Sequence, residues 1–443
     1  MTRAVVVGGG LAGITAALEL AAAGESVTLL EARSRLGGAT FSVERDGLWV
    51  DNGQHVFLRC CTAYRGFLER IRATEQTTLQ RRLSIPVLRP GGRIDWLRRT
   101  SLPAPFHLGV SIARFGPLPP RDRIRLLRAI RALQRLSLDD PKLDDITFGD
   151  WLSQHGQGDR ALSALWDLIA LPTLNLSAAD ASLALAAMVF KTGLLEESGA
   201  ADVGWASVPL QELHGDAATR ALADAGVQVH RGARVGAIAG TTVAWDGGAI
   251  DASTVVLAVP HDAAAELLPP GALPPGTDPR RLGVSPIVNL HVVYDRPVLP
   301  HPFAAAVDSP VQWVFDRTAS SGLREGGQYL AVSLSGADAY TDSTVDELRA
   351  RFVEALAELL PDAGSAEIES FFVTREPRAT FRGVPGTAAH RPGPATNVGG
   401  LYLAGAWTDT GWPATMEGAV RSGLAAAQAA LGGEHRDRER GAA

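Results

Sequence analysis

The chain has 443 residues, 46% of them hydrophobic and 20% charged, with a formal net charge of −6. That length exceeds a single small core and suits two domains sharing an interface, and the acidic balance argues against nucleic-acid binding, which needs a strong basic excess. The only cysteines, Cys60 and Cys61, are adjacent; two neighbours cannot staple a fold and suit a reducing cytoplasm, and no apolar run reaches the ~20 residues that span a bilayer.

Structure begins by Ala4, which leaves no room for a signal peptide. Ala4 to Val7 is a short, continuously apolar, β-rich run, the pattern of a buried parallel strand. It enters Gly8-Gly9-Gly10-Leu11-Ala12-Gly13, and Leu11 to Ala23 has helical composition, with Gly24 at its C-terminal end. Ser26 to Leu30 is a second strand, ending at Glu31. In this strand–turn–helix–strand–acid unit Gly8 permits the tight turn, Gly10 lets a pyrophosphate approach the backbone, and Gly13 lets the helix pack close to the strand. Leu11 and Ala12 open a helix whose N–H groups and dipole favour phosphate. Glu31 sits where a carboxylate can accept both ribose hydroxyls, so the unit reads as a dinucleotide site. Ala32-Arg33-Ser34-Arg35-Leu36-Gly37-Gly38 follows as a second glycine loop able to close over the cofactor.

Residues 86–205 and 280–375 carry no Gly-rich phosphate chemistry and suit a substrate-binding domain. Within them, Leu102 to Leu118 is apolar and broken by proline. Arg121 to Arg135 is basic and amphipathic, with Ile124, Leu127, Ile130 and Leu133 on one expected face. Two readings stand open for 102–135: a helix lying on an anionic membrane surface, or a solvated face over the core. Three later stretches read as returns to the nucleotide domain: the turn and strand leading to Val235, the buried run Ser253 to Val259, and the strand and turn Leu401 to Trp407. The last of these is followed by a helix from about Thr415 to Leu431. Such a helix N-terminus, near Gly405, Met416 and Glu417, could stabilise negative charge on a reduced ring. The expected division is 1–85, 206–279 and 376–432 for a discontinuous cofactor domain, 86–205 and 280–375 for the substrate domain, and 433–443 for a flexible tail. No metal site is expected.

The second glycine loop resembles the FAD fingerprint of the amine oxidase and phytoene desaturase superfamily. At Asp51-Asn52-Gly53-Gln54-His55 and at Trp407-Thr408-Asp409-Thr410-Gly411-Trp412-Pro413-Ala414-Thr415-Met416-Glu417-Gly418-Ala419 the chain resembles one branch, the squalene-associated FAD-dependent desaturases or hydroxysqualene dehydroxylases. The resemblance extends over nearly the whole chain. It implies an α/β fold with a Rossmann-like FAD-binding domain interleaved with a mixed-sheet and helical substrate domain, and non-covalent FAD. Further cofactor contacts then fall at Gln54, His55, Val235, Gly405, Ala406, Trp412, Ala414, Thr415 and Met416. At Ala406 the superfamily usually carries Asp; a backbone contact survives that change, whereas a carboxylate hold on the ribityl chain does not. The implied reaction is reduction of hydroxysqualene to squalene with loss of water, in hopanoid or related triterpenoid synthesis. It involves a long apolar isoprenoid, an electron donor the residues do not identify, and a cytoplasmic or membrane-peripheral location. His55 and Asp409 are the candidate acids, and Trp407 and Trp412 candidate tunnel walls. Rival readings are a carotenoid or phytoene desaturase, an amine oxidase, and a prenyl-lipid carrier without redox chemistry. The absence of Lys from Pro286 to Tyr294 and the intact Gly8, Gly10, Gly13 and Glu31 set argue against the last two.

Overall fold

Five apolar strands scattered along the chain come together in one parallel sheet. The computed structural model describes residues 3–323 and 326–441, apart from the side chains of 433–441. The sheet runs Gln228–Arg231, Ser26–Glu31, Arg3–Val7, Thr254–Leu257, Leu401–Leu403 in spatial order. Its central strands are apolar throughout because both faces are covered. Ala4 and Val6 pack with the helix Leu11–Ala22 and the last helix, whereas Val5 and Val7 pack against a three-stranded antiparallel layer built from Val235–Ala239, Thr242–Trp245 and Gly248–Asp251.

A second, seven-stranded sheet has the order Ile368–Thr380, Ser285–Tyr294, Gln328–Ser335, Trp313–Asp316, Phe303–Ala306, Ser84–Arg89, Arg93–Arg98. One of its faces is closed by the helix Val345–Leu359, whose capping box pairs Thr344 with Glu347. The other turns toward the parallel sheet and toward a helical layer formed by residues between 106 and 195.

Three details depart from the sequence reading. The borders expected at 85/86 and 375/376 fall inside the strands Ser84–Arg89 and Ile368–Thr380, because ladder pairing, not composition, decides where a strand stops. The last helix is Met416–Gly441, so it covers most of the segment expected to be a tail; residues 442–443 of that segment lie outside the described residues. The basic helix, Pro120–Arg135, buries Leu126, Ala129 and Leu133, while Ile124 and Leu127, expected to share one face with Ile130 and Leu133, are each 63% exposed.

Candidate active site

The site starts where the first strand hands over to the first helix. A Cβ on Gly13 would lie 1.9 Å from the Gly8 carbonyl oxygen, so the helix rises against the strand at a distance only glycine allows. No side chain caps that helix at Gly10, and its N-terminal N–H groups face the adjoining cavity. The second glycine loop meets the first directly: Gly10 and Gly37 form a parallel bridge, and a Cβ on Gly38 would come within 2.7 Å of the Gly10 Cα. Two stretches of bare backbone at a helix N-terminus form a cradle suited to a pyrophosphate.

Glu31 borders that cradle and is 8% exposed. Its Oε2 accepts from the Gly9 N–H at 2.6 Å and its Oε1 from the Arg33 N–H at 2.7 Å. An ionised carboxylate has about four acceptor positions, so capacity remains for ribose hydroxyls. Arg35 stacks over the Phe41 ring at 3.4 Å and donates to the Gly38 carbonyl, which braces the second loop.

From the cradle a continuous cavity of about 1710 Å³ extends into the molecule. This exceeds the ~300–1,000 Å³ of a pocket for one small ligand, and leaves room for a cofactor and a long second molecule. Gly8, Gly10, Leu11, Ala12, Glu31, Ala32, Arg33, Gly37 and Gly38 line its nucleotide end, together with Val235. Gln54, His55, Gly405, Ala406, Trp407, Trp412, Ala414, Thr415 and Met416 also line it. Gly13 does not; its part is to seat the helix. Gln54 supplies an independent sign of a missing partner, since its Nε2 is buried without a hydrogen bond. A buried donor left so costs about 1–3 kcal/mol, which a bound acceptor would relieve. Farther in, Leu126, Leu165, Met188, Phe190, Leu194 and Trp313 make an apolar channel.

Two expected roles change. Asp409 is exposed and lies outside the cavity wall; its carboxylate turns back to the Gly411 N–H at 3.3 Å, because the turn after Trp407 points it outward. Glu417 reaches the cavity wall, but its carboxylate is committed elsewhere. It accepts from the Ala63 and Tyr64 N–H groups at 3.2 and 2.7 Å and pairs with Arg421 at 2.7 Å, so it clamps the N-terminus of the helix Thr62–Arg70. His55 does face the cavity. Its Nδ1 lies 3.0 Å from the Gly53 carbonyl oxygen, an obligate acceptor, so Nδ1 carries the proton and Nε2 presents a lone pair. Burial pushes its pKa below the ordinary histidine value despite that hydrogen bond and the Asp51 carboxylate.

Residues that the sequence reading passed over complete the site. Glu376 lines the cavity and is bonded to Asn52 across 324 positions of sequence. Asn289 donates to the Asn52 carbonyl at 3.1 Å. Arg317 makes a buried ion pair with Asp51 at 2.5 Å. None lies in a glycine turn or a spaced motif, and the only signal was a polar residue within or just beyond a β-rich run.

The cradle and the apolar channel meet at the Asn52–His55 loop and the start of the last helix, joining a nucleotide-holding half to a half built for an apolar molecule. That layout defines a flavin-dependent oxidoreductase. The chain belongs to the family of flavin containing amine oxidoreductases, whose model matches residues 11–431, and its cofactor is FAD. It is 31% identical, over 96% of its length and 97% of the other, to a hydroxysqualene dehydroxylase of Rhodopseudomonas palustris. It is 26% identical to a 15-cis-phytoene desaturase of Solanum lycopersicum, over 96% and 77% of the two chains. Among solved structures, a putrescine oxidase double mutant superimposes with a TM-score of 0.74 at 21% identity, covering 97% of this chain and 99% of that one, a likeness of fold.

Proposed function

We propose that the enzyme reduces hydroxysqualene to squalene with release of water, in the synthesis of hopanoids or related triterpenoids. The observation that carries this reading is the cavity itself, in which a nucleotide cradle continues into an apolar channel within one volume of about 1710 Å³. Identity to the hydroxysqualene dehydroxylase over nearly both full lengths supports the choice within the family. Bound FAD, when reduced, supplies hydride. The protein's share is to bury the chain, at about 0.8 kcal/mol per methylene, to exclude water, and to bring the allylic C–O bond to the Asn52–His55 loop. Trp407 and Trp412 serve as walls where the channel meets the cofactor end.

The test is anaerobic incubation of holoenzyme, chemically reduced and oxidised in parallel, with hydroxysqualene, squalene and phytoene separately, products being read by mass. Squalene formed from hydroxysqualene alone is the expected result. Hydroxysqualene left intact, with phytoene dehydrogenated by the oxidised enzyme, would replace this reading by the desaturase one, which the phytoene desaturase relative supports. An amine substrate fits less well, since Ser285–Tyr294 holds no lysine.

The same reading covers how the substrate arrives. Among the described residues no helix is long and apolar enough to cross a membrane. Yet five of the eleven exposed large hydrophobic residues among those described are Leu102, Phe106, Val110, Ile124 and Leu127, and Phe106, Ile124 and Leu127 also border the cavity. Arg121, Arg125, Arg128 and Arg131 are exposed on the same helix. Apolar side chains at a channel mouth with arginines around them suit an anionic bilayer surface, from which an isoprenoid could pass inward without crossing water. Arg123 is not among the lipid-facing charges, because it is spent on the carbonyls of Ala113, Phe115 and Leu118. In co-sedimentation with vesicles containing anionic lipid, Phe106→Glu and Leu127→Glu should each weaken binding roughly tenfold or more, since burying such a side chain is worth ~1.5–3 kcal/mol. Partitioning equal to that of the wild type would remove this surface from consideration.

A further inference from the structure

The two acids suggested by sequence leave the proton of dehydroxylation unplaced. Asp409 points to solvent, and His55 presents a lone pair where a proton is needed. A third carboxyl does stand at the cavity wall. Glu376 lies near the end of the long strand Ile368–Thr380, opposite Ile287, and both residues line the cavity. Its Oε1 accepts from the Asn52 side-chain amide at 3.3 Å. Asn52 is itself fixed: its Nδ2 also donates to the Ala39 carbonyl at 2.9 Å and its Oδ1 accepts from the Phe41 N–H at 3.1 Å. The carboxyl is thereby held in register with the loop that carries Gln54 and His55, while Oε2 is left to hold a proton.

We infer that Glu376 is the proton donor to the leaving oxygen of the substrate, an assignment that rests on the dehydroxylation reading above. The carboxyl proton passes to the allylic hydroxyl, the C–O bond breaks with its electron pair staying on oxygen, and water departs. The allylic cation left behind takes hydride, with its two electrons, from the reduced cofactor, and the carboxylate regains a proton from solvent. Alcohol, proton and hydride thus give hydrocarbon and water. Burial pushes the Glu376 pKa above the ordinary carboxylate value, prevailing over the Asn52 hydrogen bond and over Arg33 and Arg35, which face it from the loop after the second strand. Arg378, two residues along, is paired with Asp262.

The experiment uses full-length holoenzyme, reduced anaerobically, with hydroxysqualene and with the corresponding allylic chloride, whose leaving group departs unprotonated. Glu376→Gln should lower turnover of the alcohol by ~10²–10⁴-fold, the usual worth of a positioned acid. It should leave the absorbance of bound flavin unchanged and the chloride turned over near the wild-type rate. The infrared band of a protonated carboxyl should disappear in the same variant, and Glu376→Asp should restore part of the lost rate. Because the donating form is lost as pH rises through a raised pKa, wild-type turnover of the alcohol should fall on the alkaline side, and this limb should be missing from the residual rate of the Gln variant. Equal losses for alcohol and chloride would mark Glu376 as structural and overturn the assignment, as would undiminished turnover of the alcohol. If Glu376→Gln fails to take up FAD, the Asp variant and the wild-type infrared band decide. Wild-type enzyme inert toward hydroxysqualene would sink the dehydroxylation reading itself, and this assignment with it.

Discussion

Gly13→Ala should purify with little or no yellow colour and should take up added FAD far more weakly than the parent chain. The new methyl carbon would sit 1.9 Å from the Gly8 carbonyl oxygen, with the Ala258 side chain 3.2 Å away. Backbone on the one side and a side chain packed just past the strand Thr254–Leu257 on the other cannot yield, so the helix Leu11–Ala22 must move off the sheet and carry its N-terminal N–H groups with it. Overpacking of this kind costs at least ~1–3 kcal/mol, and every 1.4 kcal/mol is tenfold in affinity, so a loss of ~10–100-fold or more is expected in a flavin titration. Gly24→Ala is the control. That residue also has an unusual backbone angle, φ +89°, but nothing lies within 4 Å of an added Cβ. It should cost only ~1–2 kcal/mol of stability for the left-handed strain and keep the flavin. A Gly13→Ala protein as yellow as the wild type would show that the turn does not depend on this contact.

Loss of the Arg317 guanidinium should produce the largest change in stability. Arg317 and Asp51 are paired at 2.5 Å with side chains only 10% and 4% exposed. Asp51 also accepts from the Ser42 hydroxyl at 2.5 Å and the Leu210 N–H at 3.1 Å, and Arg317 also donates to the Ala206 carbonyl. One pair therefore ties the end of the strand Trp313–Asp316 in the seven-stranded sheet to the antiparallel pair Ser42–Arg45 and Leu48–Asp51 and to the loop that presents Asn52, Gln54 and His55. Removing one partner strands a buried charge, which costs ~3–5 kcal/mol. Arg317→Met should accordingly lower the denaturant midpoint sharply and release FAD at lower denaturant than the wild type. The double variant Arg317→Met with Asp51→Asn should recover much of the loss, because neither charge is then left alone. If the double variant is as unstable as the sum of the two singles, the pair is not the unit that matters.

How much of this was legible in the linear chain varies with distance along it. The strand, glycine turn, helix, strand and acid that hold the nucleotide all occur within residues 3–31. Each step is local: a β-rich run, glycines where backbone must approach backbone, a helix start, a carboxylate at the next strand end. The glycine loop at 37–38 and the segments at 51–55 and 405–416 were found by their likeness to a family, and most of those residues do line one cavity. Asp409 was misjudged for a definite reason. It sits among cavity-lining neighbours, and only the path of the turn after Trp407 decides that its side chain faces outward. For the basic helix the spacing picked out the apolar residues, but what each one faces depends on the rotation of the helix about its axis, which packing sets, so Leu133 lies inside while Ile124 and Leu127 lie outside.

From the order of amino acids alone come the parallel sheet with its phosphate turn and the presence of a large apolar domain, since these rest on periodicity and on residue types that have few other uses; the flavin class came from likeness to a family. The placing of charge was settled only by tertiary structure. Glu376 meets Asn52 across 324 positions and Arg317 meets Asp51 across 266, and nothing local distinguishes them from the chain's other carboxylates and guanidiniums. Whether a charged side chain is a solvated ornament, a buried strut or a proton donor depends on how much water the fold removes from around it, and that quantity exists only once the sheets and helices have packed.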